Sequence, residues 1–323
     1  MKSKCISIQK NVSFVLQPST PCDKSVSLLV MVSSGPRNKD NRDRWRRDVQ
    51  GMEGVRLVFL VSRGVTEEDE KMLSEEHSLH GDVVQSSLPD GHRKLGYKIL
   101  TGYVWTARNC HHARAVAKTD DNVYLDMPLL LDLLEQRKMA ENTIACGSGT
   151  PHRNMKTLRS SGPHMTGNWS TTKEELEADI MPDFCCGFLY LTTPRVGAAL
   201  VQAALIMYGD NEVVQIEDSL ITGVLRERLP GVSVDALKTG IMAKLWLNIF
   251  SYCPWMTITK LTFFNNLVTS KTSSRSNVQY VGPVTSPAVW RYYICLHIEV
   301  GMDQIEQTVP GLVPPFIWNI CKR

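Results

Sequence analysis

The chain lacks the cysteine spacing, the long apolar runs and the excess charge that mark several common protein classes. Its nine cysteines form no C-x-x-C pair, which argues against a structural zinc site. A net charge of +3 is too small to indicate nucleic-acid binding. The N-terminus carries lysines without an apolar run, and the apolar stretch 241–255 is interrupted by Lys244 and too short to span a bilayer. Neither a signal peptide nor a membrane span is therefore predicted within this sequence.

The familiar nucleotide- and calcium-binding signatures are also absent. The sequence contains no G-x-G-x-x-G and no G-x-x-x-x-G-K-[ST], so an unrelated nucleotide-binding α/β enzyme has no motif to support it. An EF-hand is excluded because no glycine stands at the sixth loop position counted from Asp120 or Asp121. Internal repeats and low-complexity segments are missing too.

The 323 residues, 43% hydrophobic and 21% charged, are typical of a globular protein with one large α/β domain or two smaller ones. Apolar runs of strand length alternate with segments of helical period, which predicts a doubly wound α/β sheet for the first half. Thr66, with Asp69 three residues on, resembles a helix capping arrangement. After Pro230 the pattern blurs. The predicted strands are 27–33, 55–61, 82–85, 115–117, 142–146 and 188–192, and the predicted helices are 40–50, 66–76, 94–108, 128–136 and 196–208.

The stretch KTDDNVY places an acidic pair directly after a short apolar strand. Asp120 and Asp121 fall at the carboxyl edge of the strand 115–117, where ligands bind in open α/β sheets. Two interpretations stay open: the carboxylates hold a divalent cation and through it a nucleotide phosphate, or they form a solvated acidic turn. The basic segment 42–47, RDRWRR, either meets a nucleotide phosphate or forms a solvated helix face.

Several separated motifs occur in the order and spacing of one known family. Its opening R-x-x-x-x-R-x-x-W pattern is matched by Arg37, Arg42 and Trp45, and its K-T-D-D-D-x-F segment is similar to KTDDNVY. The segment 185–190, CCGFLY, corresponds more loosely to C-S-G-G-G-Y. Further matches are Asp82, Asp90, Lys98, Trp105 and Cys110, then Glu217, Asp218 and Gly223, and the pair Leu296-His297. Together these motifs resemble the beta-1,3-galactosyltransferase-like family, glycosyltransferase family 31.

The resemblance implies a GT-A-like (Rossmann-like) mixed α/β sheet flanked by helices, in a single large catalytic domain. It also implies transfer of a hexose, expected to be galactose in beta-1,3 linkage, from a UDP-sugar to an acceptor hydroxyl with inversion. The implied partners are a UDP-sugar donor and a glycan acceptor on glycoprotein or glycolipid. Such transfer needs a divalent cation, usually Mn²⁺, at the diphosphate, a base for the acceptor proton, and alignment of both substrates.

The resemblance also assigns the metal and nucleotide ligands. Asp120 and Asp121 would lie at the nucleotide and the metal, with Asn122 and His297 as further metal ligands. Asn122 stands where the family has a third aspartate, and an amide oxygen brings no charge, so metal affinity should fall. For His297 the alternative is a satisfied, partly buried histidine.

Four further residues are assigned to the donor and to the base. By the family match, Arg42 and Asp90 would bind the donor, although Arg42 could equally form a surface or core-edge ion pair. Asp218 would be the catalytic base, with Glu217 as the neighbouring charge that raises its pKa. Successive residues on a helix do not face each other, so direct coupling of the two stays open. Without the family, both would be read as acids at a helix N-terminus.

Two departures from the family pattern bear on activity. Besides Asn122, the family glycines after Cys186 are replaced by Phe188 and Leu189, which are expected to crowd the backbone near the substrate. The leading hypothesis is an active UDP-sugar transferase, and the alternative is a catalytically silent relative that binds glycan or nucleotide or supports a partner. Trp45 and Trp105 are predicted to be core residues rather than sugar platforms.

Cysteine usage and glycosylation sequons favour an oxidising compartment. The adjacent Cys185-Cys186 indicates disulfide use, and the sequons at Asn11 and Asn168 add weak support. The resemblance implies a type II membrane protein of the Golgi lumen, so an anchor absent from this chain is expected in the full-length form. The alternative is a cytosolic protein. The expected organisation is a stem or leader remnant at 1–21, a catalytic domain at 22–230, and an extension at 231–323 that packs on or completes that domain.

Overall fold

The computed structural model describes residues 13–136, 139–147, 150–159, 170–208, 216–237 and 244–245. The chain divides into two compact units. The first is Met1–Asp121 with Leu125–Ala243, and the second is Asn122–Tyr124 with Lys244–Arg323. His297 and most of the extension at 231–323 lie outside the described residues, so the domain boundaries stay a prediction.

Strands and helices alternate through the first unit, as the sequence predicted. The strand predicted at 82–85 continues to Pro89. The strands of this unit are β1 (Phe14–Leu16), β2 (Leu28–Ser34), β3 (Val55–Arg63), β4 (Val83–Pro89), β5 (Ala115–Asp120), β7 (Thr143–Cys146), β8 (Leu189–Thr192) and β9 (Ser233–Ala236). Its helices are α1 (Lys39–Asp48), α2 (Glu67–His80), α3 (Leu95–Asn109), α4 (Met127–Gln136), α5 (Pro194–Tyr208) and α6 (Glu217–Ser219), with a π-helical turn at Leu220–Val224 and 3-10 turns at His92–Lys94 and Arg226–Arg228. In the second unit, β6 (Val123–Tyr124) pairs antiparallel with β10 (Lys244–Leu245).

The strands of the first unit form one eight-stranded mixed sheet in the order β1-β4-β3-β2-β5-β8-β7-β9. Strands β4, β3, β2 and β5 run parallel to one another, whereas β1 runs antiparallel to β4, and β8 runs antiparallel to β5 and β7. The chain leaves β2 toward β3 and β4 and returns as β5 on the other side of β2. The strand order therefore reverses between β2 and β5, and open α/β sheets bind ligands outside the carboxyl ends of the strands at such a point.

Helices cover both faces of this sheet. Leu29 of β2 packs in a cluster with residues of α3 and α5, whereas its neighbour Val30 packs in a second cluster with residues of α1, α2 and α4. Side chains alternate between the faces of a strand, and a strand buried on both faces is apolar throughout. Trp45 and Trp105, 1% and 0% exposed, are confirmed as core residues, one in each cluster. The predicted mixed α/β sheet with flanking helices is confirmed.

Two local predictions from the sequence are also confirmed. Thr66 accepts a hydrogen bond from the Asp69 N–H while the Asp69 carboxylate accepts one from the Thr66 N–H, which forms a capping box at the start of α2. At the other end of α2, Gly81 adopts the left-handed conformation with φ 62°, which is easy only for glycine. In the described ranges, no helix combines the length and the apolarity needed to cross a membrane.

The cysteines that the structure describes form disulfides, as the sequence indicated. Cys22 is bonded to Cys110, which ties the segment before β2 to the end of α3. Cys146 is bonded to Cys185, which ties the end of β7 to the segment before β8. Cys186 is disulfide-bonded as well. The Cys146–Cys185 bond lies next to the segment 186–188, which contributes backbone groups to the site described below.

Candidate active site

The carboxyl ends of β2 and β5 lie side by side at the switch point of the sheet. Ser33 pairs with Asp120 in the parallel register, and the Asp121 N–H donates to the Ser33 carbonyl oxygen at 3.0 Å. The acidic pair therefore lies at the sheet edge where its position after β5 predicted it. An open α/β fold places its ligands at this edge.

Lys118 is the fully buried centre of the charged groups at this edge, with its side chain 0% exposed. Its ammonium group donates to Glu217 Oε2 at 2.7 Å and to the Gly187 carbonyl at 2.9 Å, and lies 3.1 Å from Asp120 Oδ1. Burial lowers the pKa of Lys118, but the carboxylates of Asp120 and Glu217 outweigh it and hold that pKa above its ordinary value. One cation thus joins two acidic pairs that lie far apart in the sequence.

Asp218, the predicted base, is carried by the short helix α6 and is 9% exposed. Its Oδ2 accepts the Gly187 N–H at 3.0 Å, and its Oδ1 accepts the Ser219 N–H at 2.8 Å. Burial, followed by the charge of Glu217, raises the pKa of Asp218 to about 7, against the opposing effects of Lys118 and the two N–H donors. A carboxylate of that pKa can take up and release a proton near neutral pH.

Glu217 acts on Asp218 through its charge. Its Oε1 accepts the Tyr190 hydroxyl at 2.6 Å and its Oε2 accepts the Lys118 ammonium at 2.7 Å, so both oxygens are held. Tyr190 lies on β8 directly opposite Lys118 in the antiparallel register. The sequence left open whether the two successive acids are coupled. Both oxygens of Glu217 bind other residues, and its charge contributes to the raised pKa of Asp218.

The two aspartates after β5 differ in what their carboxylates already contact. Asp121 is 7% exposed, and its Oδ2 accepts hydrogen bonds from Ser34 Oγ at 2.7 Å and Asn38 Nδ2 at 2.8 Å. Its Oδ1 lies 3.4 Å from Asn41 Nδ2. Asp121 therefore ties the end of β5 to the loop and first turn of α1.

Asp120 presents more of its carboxylate to solvent, with 19% of the side chain exposed. Among the described residues, its partner is Lys118, whose ammonium group lies 3.1 Å from Oδ1. Burial raises the pKa of Asp120, and the charges of Glu217 and Asp121 add to this effect, while Lys118 opposes it. Of the two aspartates, Asp120 is thus the one with an oxygen available to a ligand.

Arg42 forms the core-edge ion pair that was the alternative to donor binding, and its contact with the sugar donor stays a prediction. Its guanidinium is 1% exposed and pairs with both oxygens of Glu76, at 2.8 and 2.6 Å. It also donates to Ser34 Oγ at 3.0 Å and to the carbonyl oxygens of Gly35 and Pro36 at 2.6 and 3.1 Å. Arginine has five N–H donors, and these five contacts use all of them. Arg42 therefore shapes the turn after β2, and its five N–H groups are all used within the protein.

Asp90 lies at the same sheet edge, on the side of β2. Its Oδ1 accepts the Lys98 ammonium at 2.9 Å, and the same ammonium donates to the Ser34 carbonyl oxygen at 3.0 Å. The Asp90 side chain is 32% exposed. It is therefore held near the end of β2 with part of its carboxylate accessible, as a donor-binding residue requires.

The residues that replace the family glycines, Phe188 and Leu189, are buried, and Gly187 beside them lies next to the acidic pair at 217–218. Phe188 and Leu189 are 4% and 0% exposed, and Leu189 packs in the core cluster that includes α4. Gly187 is the glycine that meets the acids: a Cβ on it would lie 3.4 Å from Asp218 Cβ and 3.5 Å from Glu217 Oε2. Both bulky side chains are buried in the core, and the crowding expected near the substrate stays a prediction.

The described residues supply few metal ligands. Among them, no group of three or more His, Cys, Asp or Glu side chains lies together in a way that could hold a metal ion. Cations of the magnesium type are commonly bound through one or two carboxylates together with substrate phosphates, and Asp120 fits that mode. Asn122 follows Asp121 in the chain and is half-buried. The predicted ligand His297 lies outside the described residues.

Three residues at this site were not singled out from the sequence: Lys118, Tyr190 and Gly187. Period-two alternation along β5 puts Lys118 and Asp120 on one face of the sheet, and this signal could have drawn attention to the lysine. Gly187 and Tyr190 stand in the segment CCGFLY that corresponds to a family motif, but their contacts with the acids depend on strand pairing and chain reversal, which the sequence does not show.

Comparison with known proteins is consistent with this arrangement. A family model described as galactosyltransferase matches residues 37–237, a range that contains both acidic pairs. Beta-1,3-galactosyltransferase 5 of Pan paniscus is 24% identical over 235 residues, which cover 71% of this chain and 74% of the relative. Beta-1,3-galactosyltransferase 4 of Rattus norvegicus is 34% identical over 116 residues, 34% of this chain and 31% of the relative. Lactosylceramide 1,3-N-acetyl-beta-D-glucosaminyltransferase A of Danio rerio is 27% identical over 198 residues, 56% and 50% of the two chains.

Proposed function

The chain belongs to the galactosyltransferase family, and we propose that it transfers galactose from UDP-galactose to a sugar hydroxyl in beta-1,3 linkage, with inversion at the anomeric carbon. The family and the names of its relatives make it a glycosyltransferase. Because one relative is named for 1,3-linked N-acetylglucosamine transfer, UDP-N-acetylglucosamine is the competing donor. The proposed acceptor is a glycan on a glycoprotein or glycolipid.

The observation that supports this proposal most is the meeting of two acidic pairs around Lys118. Asp120 stands at the switch point with a carboxylate oxygen available, and Asp218 stands beside Gly187 with a pKa raised to about 7. Sugar transfer needs a donor-side carboxylate and a separate base, and the two residues have environments suited to those different tasks.

In the proposed mechanism, Asp218 accepts the proton of the acceptor hydroxyl as the hydroxyl oxygen attacks the anomeric carbon. The N–H groups of Gly187 and Ser219 hold its two oxygens and thereby fix the direction of the carboxylate. The new glycosidic bond forms as the bond to UDP breaks, and UDP leaves from the opposite side of the sugar. UDP-galactose carries an α-linked sugar, so this single displacement gives a β-linked product.

For the donor we propose Asp120 and Asp90 as contacts and Asp120, Asp121, Asn122 and His297 as the metal set. A bound Mn²⁺ ion would neutralise the negative charge of the diphosphate leaving group. Asp120 would be its first ligand, because Ser34, Asn38 and Asn41 already surround the carboxylate of Asp121.

A second candidate function, a catalytically silent family member that binds nucleotide or glycan, is favoured by one observation. Asn122 replaces the charged residue expected after Asp121, which weakens the case for a tight metal site. The two functions differ in one measurable property: an active transferase binds UDP more tightly when Mn²⁺ is present.

We also propose that the protein works in the lumen of the Golgi apparatus. The two buried disulfides support a location in an oxidising compartment, since such bonds are rare in the cytosol. Attachment to the membrane through an anchor outside this chain stays a prediction from the family resemblance.

A direct test is transfer of labelled sugar from UDP-galactose or UDP-N-acetylglucosamine, with Mn²⁺, to p-nitrophenyl β-glycosides of galactose, glucose and their N-acetylamino derivatives. We expect a β-1,3-linked galactoside, identified by NMR, and no product with Asp218→Asn. An α-linked product would overturn inversion, and a product from UDP-N-acetylglucosamine alone would overturn the donor. Folded protein that binds UDP but transfers neither sugar would support the silent function.

A further inference from the structure

Lys118 has no chemical step in the proposed mechanism, yet its ammonium group contacts one member of each acidic pair. Its ammonium group contacts three different segments of the chain: Asp120 on its own strand, Gly187 before β8, and Glu217 at the start of α6. We propose that Lys118 is a positioning residue that holds the donor-side carboxylate and the segment bearing the base in one fixed arrangement. This inference rests on the proposed function of the site.

The hydrogen bonds trace how Lys118 acts on the base. Lys118 fixes the carbonyl of Gly187, and the N–H of the same residue donates to Asp218 Oδ2. Lys118 also fixes Glu217, the residue before Asp218, and Tyr190 holds the other oxygen of that glutamate. Asp218 is therefore positioned through its neighbour in the chain and through its hydrogen-bond donor, and both depend on one ammonium group.

Lys118 cannot serve the substrate directly. Its side chain is 0% exposed, and an ammonium group has three N–H donors, which match its three acceptors. A hydrogen bond to a substrate would require the loss of one of these contacts. The geometry therefore gives Lys118 a role through other residues.

The charges point to the same role. One ammonium group faces the carboxylates of Asp120 and Glu217, and Asp218 adds a third acid nearby. Without the cation, like charges would push the carboxylates apart, and a buried acid left without a partner is strongly unfavourable. The base-bearing segment would then move relative to Asp120, since no other described side chain contacts both.

Loss of positioning should appear in kcat more than in donor binding. A misplacement of about 1 Å in a catalytic group lowers turnover about 100-fold. Asp120 is held at the end of β5 by the register with Ser33, so its backbone position and its access to the donor do not depend on Lys118. For Lys118→Met we therefore expect kcat to fall about 100-fold, with the KM for UDP-galactose unchanged or lower.

The kinetic test uses Lys118→Met, the double variant Lys118→Met with Glu217→Gln, and Thr119→Val as the matched control. Thr119 is the next residue on β5 and donates to the Phe188 carbonyl at 2.8 Å, so its variant loses one bond to the same segment without touching an acid. The double variant removes the unpaired glutamate charge and so protects folding. Turnover is normalised to the UDP-binding sites counted by calorimetry. Wild-type kcat in either Lys118 variant, or an equal loss in Thr119→Val, would overturn the positioning role.

A second readout does not depend on activity. The N–H groups of Gly187 and Ser219 both donate to Asp218, so amide hydrogen exchange reports whether that carboxylate stays in place. We expect faster exchange of both amides in the Lys118 variants and no change at Asp121, whose N–H donates to Ser33. Unchanged exchange at 187 and 219 would contradict the proposal. If the wild type neither binds UDP nor transfers sugar, the proposed function fails, and the exchange result still decides the role of Lys118.

Discussion

The first unit holds two buried charge clusters at one edge of its sheet, and they differ in their balance of charge. In the cluster around Arg42, Glu76 pairs with the guanidinium groups of both Arg42 and Arg46. Arg46 also pairs with Asp82 at 2.8 Å. Burial raises the pKa of Glu76, but the two arginines outweigh it and hold that pKa below its ordinary value. We call this cluster matched, because Glu76 and Asp82 are both paired with arginine, and its contacts tie α1 to α2 and to the start of β4.

In the cluster around Lys118, one cation faces an excess of acids. Burial raises the pKa of both Asp120 and Asp218, and neighbouring carboxylates add to the shift while Lys118 opposes it. Asp218 consequently titrates near neutral pH, and Asp120 keeps an oxygen exposed. The two clusters therefore differ in how many cations face their acids. The matched cluster around Arg42 is structural, and the unmatched cluster around Lys118, where acids exceed cations, has the features of a reactive site.

The largest expected effect is on turnover, and it comes from removing the base in the cluster around Lys118. Asp218→Asn should lower kcat about 1,000-fold, because general base catalysis contributes on this scale, while Mn²⁺-dependent UDP binding is unchanged. Sugar transfer and calorimetry measure the two quantities. Asp235→Asn, which changes an exposed acid on β9, is the matched control. Near-normal turnover in Asp218→Asn would show that another group accepts the proton.

The structural role of the matched cluster predicts a loss of stability instead. Arg42→Met should lower the free energy of unfolding by about 3–5 kcal/mol, because Glu76 keeps its charge in a buried site with half of its partners removed. Arg37→Met, which removes a largely exposed guanidinium that pairs with Asp69, should lower it much less. Urea unfolding measures both. An Arg42→Met enzyme that unfolds like the wild type but no longer binds UDP would support Arg42 as a donor contact.

The pH dependence of kcat/KM sharpens the contrast further. Asp218 works as a base only when it is deprotonated, and its pKa is raised to about 7. The rate should therefore fall about tenfold for each pH unit below that value and level off above it. A plateau that continues to pH 5 would contradict the raised pKa of Asp218 in the free enzyme.

The sequence anticipated these clusters unevenly. Buried parallel strands are continuous apolar runs, so β2, β3 and β5 could be predicted, and the position of Asp120 and Asp121 at a strand end followed from them. The partner of Arg42 could not be predicted, because Glu76 lies 34 positions away on another helix. Nor could the role of Lys118, whose contacts reach 69 and 99 positions along the chain. Local pattern locates strand ends, whereas the balance of charge depends on long-range packing.

The smallest effect concerns the residue after the acidic pair. Asn122→Asp should lower the Mn²⁺ concentration for half-maximal activity roughly fivefold, since a carboxylate brings a charge that the amide lacks. Activity measured across a Mn²⁺ titration tests this, with Asn142→Asp, at a distant loop, as the control. An unchanged Mn²⁺ requirement would show that residue 122 does not face the cation.

Calorimetric titration of UDP, with and without Mn²⁺, into the wild type and Asp120→Asn tests the central claim most directly. If the cluster around Lys118 binds the sugar donor through Asp120, Mn²⁺ tightens UDP binding in the wild type and has little effect on it in Asp120→Asn. The same account predicts that UDP-galactose binds more tightly than UDP-N-acetylglucosamine. Binding that is absent, or equally strengthened by Mn²⁺ in both proteins, would contradict the assignment of the donor site to this edge of the sheet.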